Sequence, residues 1–314
     1  MKAAVPRMPT VLALALAATM PLAPRPHAQL RDTHPYPGIT YVDRFESSPR
    51  TLHMHVAQVD LTRPGLRVRL SPHAGQREVV RQSTVSFLRG EHAQLAINAH
   101  YFLPFPSDDL PASLIGIAAS DGDVSSAFEH PVQRYAIVDD APGLNIDREN
   151  RASIVHRDAS NADGRHVREA VTLWTTVSGS AQIVTDGRPT VPVYRDLQHP
   201  DGLLEPGGPN LYSNAHSWCD ALVARTAIGL SRDAKTLTLF TVDGRGASGG
   251  MRLDEVAQLL VADYGVWNAL NLDGGGSTSM AMADPATGAA AIVNTSSDNP
   301  AGRRVGSSLA VFTR

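Results

Sequence analysis

The chain has 314 residues, of which 42% are hydrophobic and 19% charged, with 28 Lys and Arg against 31 Asp and Glu. A formal charge of −3 argues against a protein held to nucleic acid by phosphate contacts, and a lone cysteine, Cys219, excludes an internal disulfide framework and a multi-cysteine zinc site. The length suits one large domain, and 25 Gly with 22 Pro predict many turns and few helices.

Residues 1–28 read as a secretory signal peptide. Lys2 and Arg7 precede an apolar run over 10–23, which is short for a bilayer span, and Ala28 offers a small residue for cleavage. Its removal takes away Lys2, Arg7 and Arg25 but no acid, so the formal charge moves from −3 to −6. No later segment has the length and apolarity of a membrane span. An exported protein is therefore expected, periplasmic if the source is Gram-negative.

Residues 29–49 are rich in proline and charge and read as a leader onto a domain spanning 50–314. Residues 53–61 and 66–70 alternate in polarity and predict two strands joined by the turn at Arg63-Pro64-Gly65. A short helix is expected around 84–88, ending near Gly90, followed by a buried strand over 94–98. Three prolines and two aspartates make 103–111 an irregular loop. Strands follow at 114–119 and 134–138. The polar stretch 139–170 is either an insertion or a long meander. Residues 170–176 and 181–185 read as strands, and 195–217 as a long loop of the kind that often forms a functional lid.

The last third carries the clearest pattern. Strands are expected over 222–230 and 237–242. Apolar residues at 253, 256, 257, 260, 261 and 264 lie on one helical face, and Gly265 is placed to cap it. Short strands at 268–272, 278–282 and 305–312 complete the chain. Strands outnumber helices and occur in runs. The prediction is α+β: mixed, mainly antiparallel sheets with a few packed helices, in a single large domain.

The sharpest motif is N-L-D-G-G-G-S at 271–277. Gly274, Gly275 and Gly276 let the backbone approach a ligand and turn N–H groups inward, which suits an anion; Ser277 adds a hydroxyl. Asp273 stands at the strand end. No lysine follows, so the loop is not a P-loop. The alternative is a glycine-rich turn closed by Asp273. Asp243 ends a second strand in D-G-R. Arg225 lies inside an apolar strand, where a charge is costly unless paired; it either faces solvent or grips a phosphate or carboxylate. Asn98 either shapes a turn or points at a substrate. His100 has no metal-like spacing with another histidine. His53 and His55 share a strand face and read as a surface pair.

Seven segments occur together in one order: A-I-N-A-H-Y-F at 96–102, S-L-I-G-I-A-A-S-D-G-D-V at 113–124, S-G-S-A-Q-I-V-T-D-G at 178–187, R-T-A-I-G-L at 225–230, F-T-V-D-G-R at 240–245, G-M-R-L-D-E-V-A-Q-L-L at 250–260 and N-A-L-N-L-D-G-G-G-S-T-S-M at 268–280. In these the chain resembles the phosphodiester glycosidase family over roughly 50–314. The resemblance implies hydrolysis of the bond between a sugar anomeric carbon and a phosphodiester, in cell-envelope or exopolysaccharide metabolism. It implies catalytic roles for Asp243 and Asp273. It also implies substrate or phosphate contacts from Asn98, Arg225 and the loop from Gly274 to Ser277. Where the family has two glycines after the asparagine, this chain has Ala99 and His100, and His100 is expected to fill or reshape the pocket. That departure favours the alternative of a non-catalytic glycan-binding or polysaccharide-assembly protein on the same scaffold. The resemblance fixes no cofactor. A divalent cation between the two aspartates is compatible with it, although no compact run of oxygen ligands is present. The expected partner is a sugar-phosphate or glycan, with no nucleic acid and no membrane span.

Overall fold

A computed structural model describes residues 29–128, 138, 140–192, 219–295, 299 and 301–313. The expected signal peptide and the 195–217 loop lie outside the described residues. So does the strand expected over 134–138, apart from Val138, whose N–H donates to the Ser180 carbonyl.

The largest sheet has eight strands. In spatial order they are Gln29–Tyr36, Ile39–Glu46, Leu52–Asp60, Thr236–Val242, Arg225–Ser231, Val266–Asn271, Ala181–Thr185 and Arg188–Pro189. The expected leader is thus largely sheet: Ile39–Glu46 pairs along its whole length with Leu52–Asp60. A five-stranded sheet runs Ala290–Ile292, Met280–Ala283, Leu95–Asn98, Ser308–Phe312, Arg67–Leu70. Another runs Asp123–Ser126, Ala118–Ser120, Thr175–Ser178, Gly143–Ile146, Ala152–Val155, which makes the polar stretch before residue 170 a meander. All these pairings are antiparallel.

The described residues hold two α-helices, Thr84–Glu91 (α1) and Leu253–Tyr264 (α2). The fold is therefore mainly β, and the expected α+β class is corrected to that extent. Antiparallel neighbours do not require the helical crossovers that parallel strands do.

Both faces of the large sheet are covered. Val56, Phe240 and Val242 pack with Val256 and Leu260 of α2, while Ala57, Leu239 and Leu230 face a second cluster with Leu95, Ile97 and Leu309. Successive side chains point to opposite faces. A strand buried on both faces therefore loses its polar alternation, and 227–230 reads as continuous non-polar sequence for this reason. The Arg252 N–H donates to Glu255 at the start of α2, and Gly265 ends it at φ 65°.

Candidate active site

Asp273 follows the end of Val266–Asn271, and Asp243 follows the end of Thr236–Val242. The strand Arg225–Ser231 lies between these two strands, so the two aspartates flank its N-terminal end. Both following loops press against Ala224. A Cβ on Gly244 would lie against the Ala224 backbone nitrogen, and one on Gly274 would meet its carbonyl at 2.9 Å. Gly275 sits at φ 57°, in the left-handed region. Gly244 and Gly274 serve the approach of one backbone to another, and Gly275 the left-handed turn.

The glycine loop is a single 3₁₀ turn, Gly275–Ser277. Its N–H groups are largely used within the protein. Gly275 donates to Ala224, Ser277 to Gly274 and Thr278 to Gly275. The Gly274 N–H and the Ser277 hydroxyl support the Asp273 carboxylate. The inward nest expected from sequence is thus organised around Asp273 itself. Gly276 is partly exposed on the same turn.

The Asp273 carboxyl is pushed up to about 7. Burial is the main cause; hydrogen bonds from Ser277 and Gly274 and the charge of Arg303 pull the other way. Arg303 is itself lowered by burial and by the like charge of Arg245, while Asp273 holds it up. Asp273 therefore sits beside the Arg303 guanidinium, and Arg245 in turn lies near Arg303. Arg303 also lines an open cleft of about 1010 Å³ with Arg81, Phe102 and Phe105, and its guanidinium stacks 5.1 Å from the Phe105 ring centre.

Tyr101 lies near Asp273. Burial, then the Asp273 charge, raises its phenol above the usual range, so it stays protonated. Its hydroxyl accepts from Asn271 Nδ2 at 3.3 Å, and Asn271 also donates to Ser180 at 2.8 Å.

Asp243 is 1% exposed. Its Oδ1 accepts from Asn294 Nδ2 at 3.2 Å and from the Thr295 N–H at 3.0 Å. Asn294 Nδ2 also donates to the Thr278 carbonyl at 3.2 Å, which couples Asp243 to the segment just after the glycine loop.

Three expected contacts have other partners. Asn98 is fully buried, and its amide donates to the Asp273 carbonyl at 2.6 Å. Its oxygen accepts from Thr226 Oγ1 at 2.8 Å and the Ser279 N–H at 2.9 Å. Asn98 braces the site rather than lining it. Arg225 donates from Nε to Met251 O at 2.9 Å and from Nη2 to Ala221 O at 2.6 Å. Its charge is near enough to Tyr101 to stabilise a phenolate there. His100 is wholly buried beside Ser307, the Ile117 carbonyl and the Ser178 N–H. Burial lowers it to about 4, so the ring is neutral. The expected surface pair is also corrected, since His55 is 1% exposed.

Sequence reasoning passed over Tyr101, Asn294 and Arg303. Tyr101 stood inside a quoted motif. Arg303 carried no signal beyond a pair of arginines near the C-terminus.

The family model for phosphodiester glycosidases matches residues 91–312. The chain belongs to the phosphodiester glycosidase family. A hypothetical protein from Synechocystis has a similar fold, with TM-score 0.59 and 15% identity over 92% of this chain and 64% of that one. This chain thus spans less than two thirds of that protein. The catalytic domain of zebrafish N-acetylglucosamine-1-phosphodiester α-N-acetylglucosaminidase, auto-inhibited by its pro-peptide, gives TM-score 0.55 and 20% identity over 93% and 85% of the two chains. A putative exported protein of Burkholderia pseudomallei gives TM-score 0.55 and 17% identity over 87% and 77%. A search of curated proteins found no match. At these identities the likeness to solved structures is one of fold. Among the described residues, no helix is long and apolar enough to cross a membrane.

Proposed function

We propose that this chain is a hydrolase of glycosyl-1-phosphodiesters, exported by residues 1–28 and acting on a cell-envelope or extracellular glycan. The observation that carries the reading is Asp273, a carboxyl raised to about 7 beside the guanidinium of Arg303, which borders the open cleft and has Arg245 near it. A phosphodiester is a permanent anion, and paired guanidiniums match its oxygens. A carboxyl that titrates near neutrality suits proton transfer at the scissile bond.

In this reading Arg303 and Arg245 hold the phosphate. Asp273 exchanges a proton with the leaving oxygen or the attacking water, and the protonated Tyr101 supplies a hydrogen bond nearby. Phosphate is a good leaving group, so modest acid assistance suffices. Asp243, fixed by Asn294 and Thr295, is the second carboxylate of a glycosidase pair. The non-catalytic alternative rested on Ala99 and His100. Both side chains are fully buried, which supports a packing role for them, while the Ala99 carbonyl accepts from the Asp273 N–H at 2.9 Å.

The test is release of free sugar from a set of sugar-1-phosphate diesters, comparing the wild type with Asp273→Asn and Arg303→Ala. Sugar release by the wild type, lost in Asp273→Asn with the fold intact, supports the reading. No release from any diester, with glycan binding retained, replaces it with the binding protein.

A further inference from the structure

We propose that His53, His55 and Asp243 form a binding site for a divalent transition-metal ion of the zinc class. His53 and His55 are two apart on strand Leu52–Asp60 and so share a face. Their strand pairs with Thr236–Val242, with Val242 opposite Met54, so Asp243 emerges beside both rings. The Asp243 N–H donates to the His53 carbonyl at 2.9 Å, which fixes the register. The two imidazoles lie 4.3 Å apart between centres, tilted by 58°.

Each of the three side chains has one polar atom anchored, and the free nitrogen of each ring lies within 4 Å of Asp243 Oδ2. His53 Nε2 is held by Asp43 Oδ1 at 2.7 Å, and its Nδ1 lies 3.3 Å from Asp243 Oδ2. His55 Nδ1 is held by the Tyr41 hydroxyl at 2.7 Å, and its Nε2 lies 3.8 Å from the same Oδ2. Asp243 Oδ1 is held by Asn294 and Thr295. This is the arrangement of metal ligands oriented by outer hydrogen bonds, with carboxylates prominent among the outer partners.

The inner atoms are the second, independent observation. His55 Nε2 and Asp243 Oδ2 are both buried and have no hydrogen-bond partner among the described residues. Their residues are each 1% exposed. Leaving such atoms unpaired is costly. A proton does not bridge them, because 3.8 Å is beyond hydrogen-bond reach. An ion does. Metal–ligand bonds of about 2.1 Å to a tetrahedral centre set the donors about 3.4 Å apart. The two distances to Oδ2, 3.3 and 3.8 Å, bracket that separation.

Two imidazole nitrogens and one carboxylate oxygen suit zinc and its first-row neighbours, whereas calcium and magnesium take oxygen ligands. The His53 side chain is 31% exposed, which leaves an approach for a fourth ligand. Asp43 also offers an oxygen within 4.8 Å of ligand atoms on both histidines. The proposal shares Asp243 with the glycosidase reading, but its readout is binding, so it fails or holds separately from sugar release.

The experiment uses the purified full chain stripped with a chelator. Zn²⁺ is titrated by calorimetry, and Co²⁺ is followed by its visible absorption. One ion per chain, a tetrahedral Co²⁺ spectrum and a higher unfolding midpoint with Zn²⁺ are expected. His53→Ala, at a partly exposed position, is expected to weaken binding by at least about 100-fold, and Asp43→Ala by about 10- to 100-fold. Circular dichroism of the metal-free variants checks that they fold. Absence of stoichiometric Zn²⁺ or Co²⁺ binding overturns the proposal. So does binding unchanged in His53→Ala, which would place the ion elsewhere.

Discussion

The amide of Asn98 donates to the backbone carbonyl of Asp273 at 2.6 Å, across 175 residues of sequence. The same side chain holds Thr226 and Ser279, so one residue joins the strand end, its neighbour and the far side of the glycine loop. Asn98→Asp keeps the shape but turns an oxygen toward the Asp273 carbonyl. It is expected to cost about 2–4 kcal/mol of stability, since a buried acceptor then faces another. Urea unfolding measures this. Sugar release is expected to fall with it, because the Asp273 backbone is no longer fixed.

Asp273→Asn separates activity from stability. An acid raised from an ordinary value of 3.8 to about 7 binds a proton in the folded state that the unfolded chain has released. Its contribution is therefore least unfavourable below pH 4 and grows more destabilising as pH rises to 7. The Asn variant is expected to unfold at a higher temperature than the wild type at pH 8 and at nearly the same temperature at pH 3.5. Calorimetric scans at the two pH values decide this. The wild-type rate profile is expected to show an ionisation near 7.

His100 gives the opposite pH signature. Its folded value of about 4 lies below its ordinary 6.5, so the unfolded chain takes up a proton first as pH falls. Stability is complete above 6.5 and declines toward 4, by about 3 kcal/mol at most for this group. Denaturant unfolding from pH 7 to 4 is expected to be steeper in the wild type than in His100→Gln. Equal slopes would remove the buried neutral histidine from the account.

Arg225 and Arg303 are expected to divide structural and substrate-binding work. Arg225 donates to the carbonyls of Met251 and Ala221 from a buried position. Arg225→Ala leaves buried acceptors behind and is expected to lower stability by about 2–3 kcal/mol as well as activity. Arg303 borders the open cleft. Arg303→Ala is expected to keep its unfolding midpoint within a few degrees while kcat/KM drops by about 100-fold. Paired melting curves and kinetics distinguish them.

The sequence alone determined the elements whose signal is local. The alternation at 53–61, the helical spacing from 253 to 264 and the D-G turns at 243 and 273 are set by side-chain periodicity and turn chemistry within a few residues. The ordered motifs determined the family. Both helices were legible, but the class was set too far toward α+β, because local patterns did not show how many short strands the sheets would gather. Only the tertiary structure decided the roles. Asn98 and Arg225 carried the right residue types for ligand contacts, yet their described hydrogen bonds go to the protein's own backbone and hydroxyls. Arg303 joined Asp273, and His53 and His55 met Asp243, through registers between strands far apart in the chain. Such meetings depend on which strand lies beside which, and no local pattern encodes that.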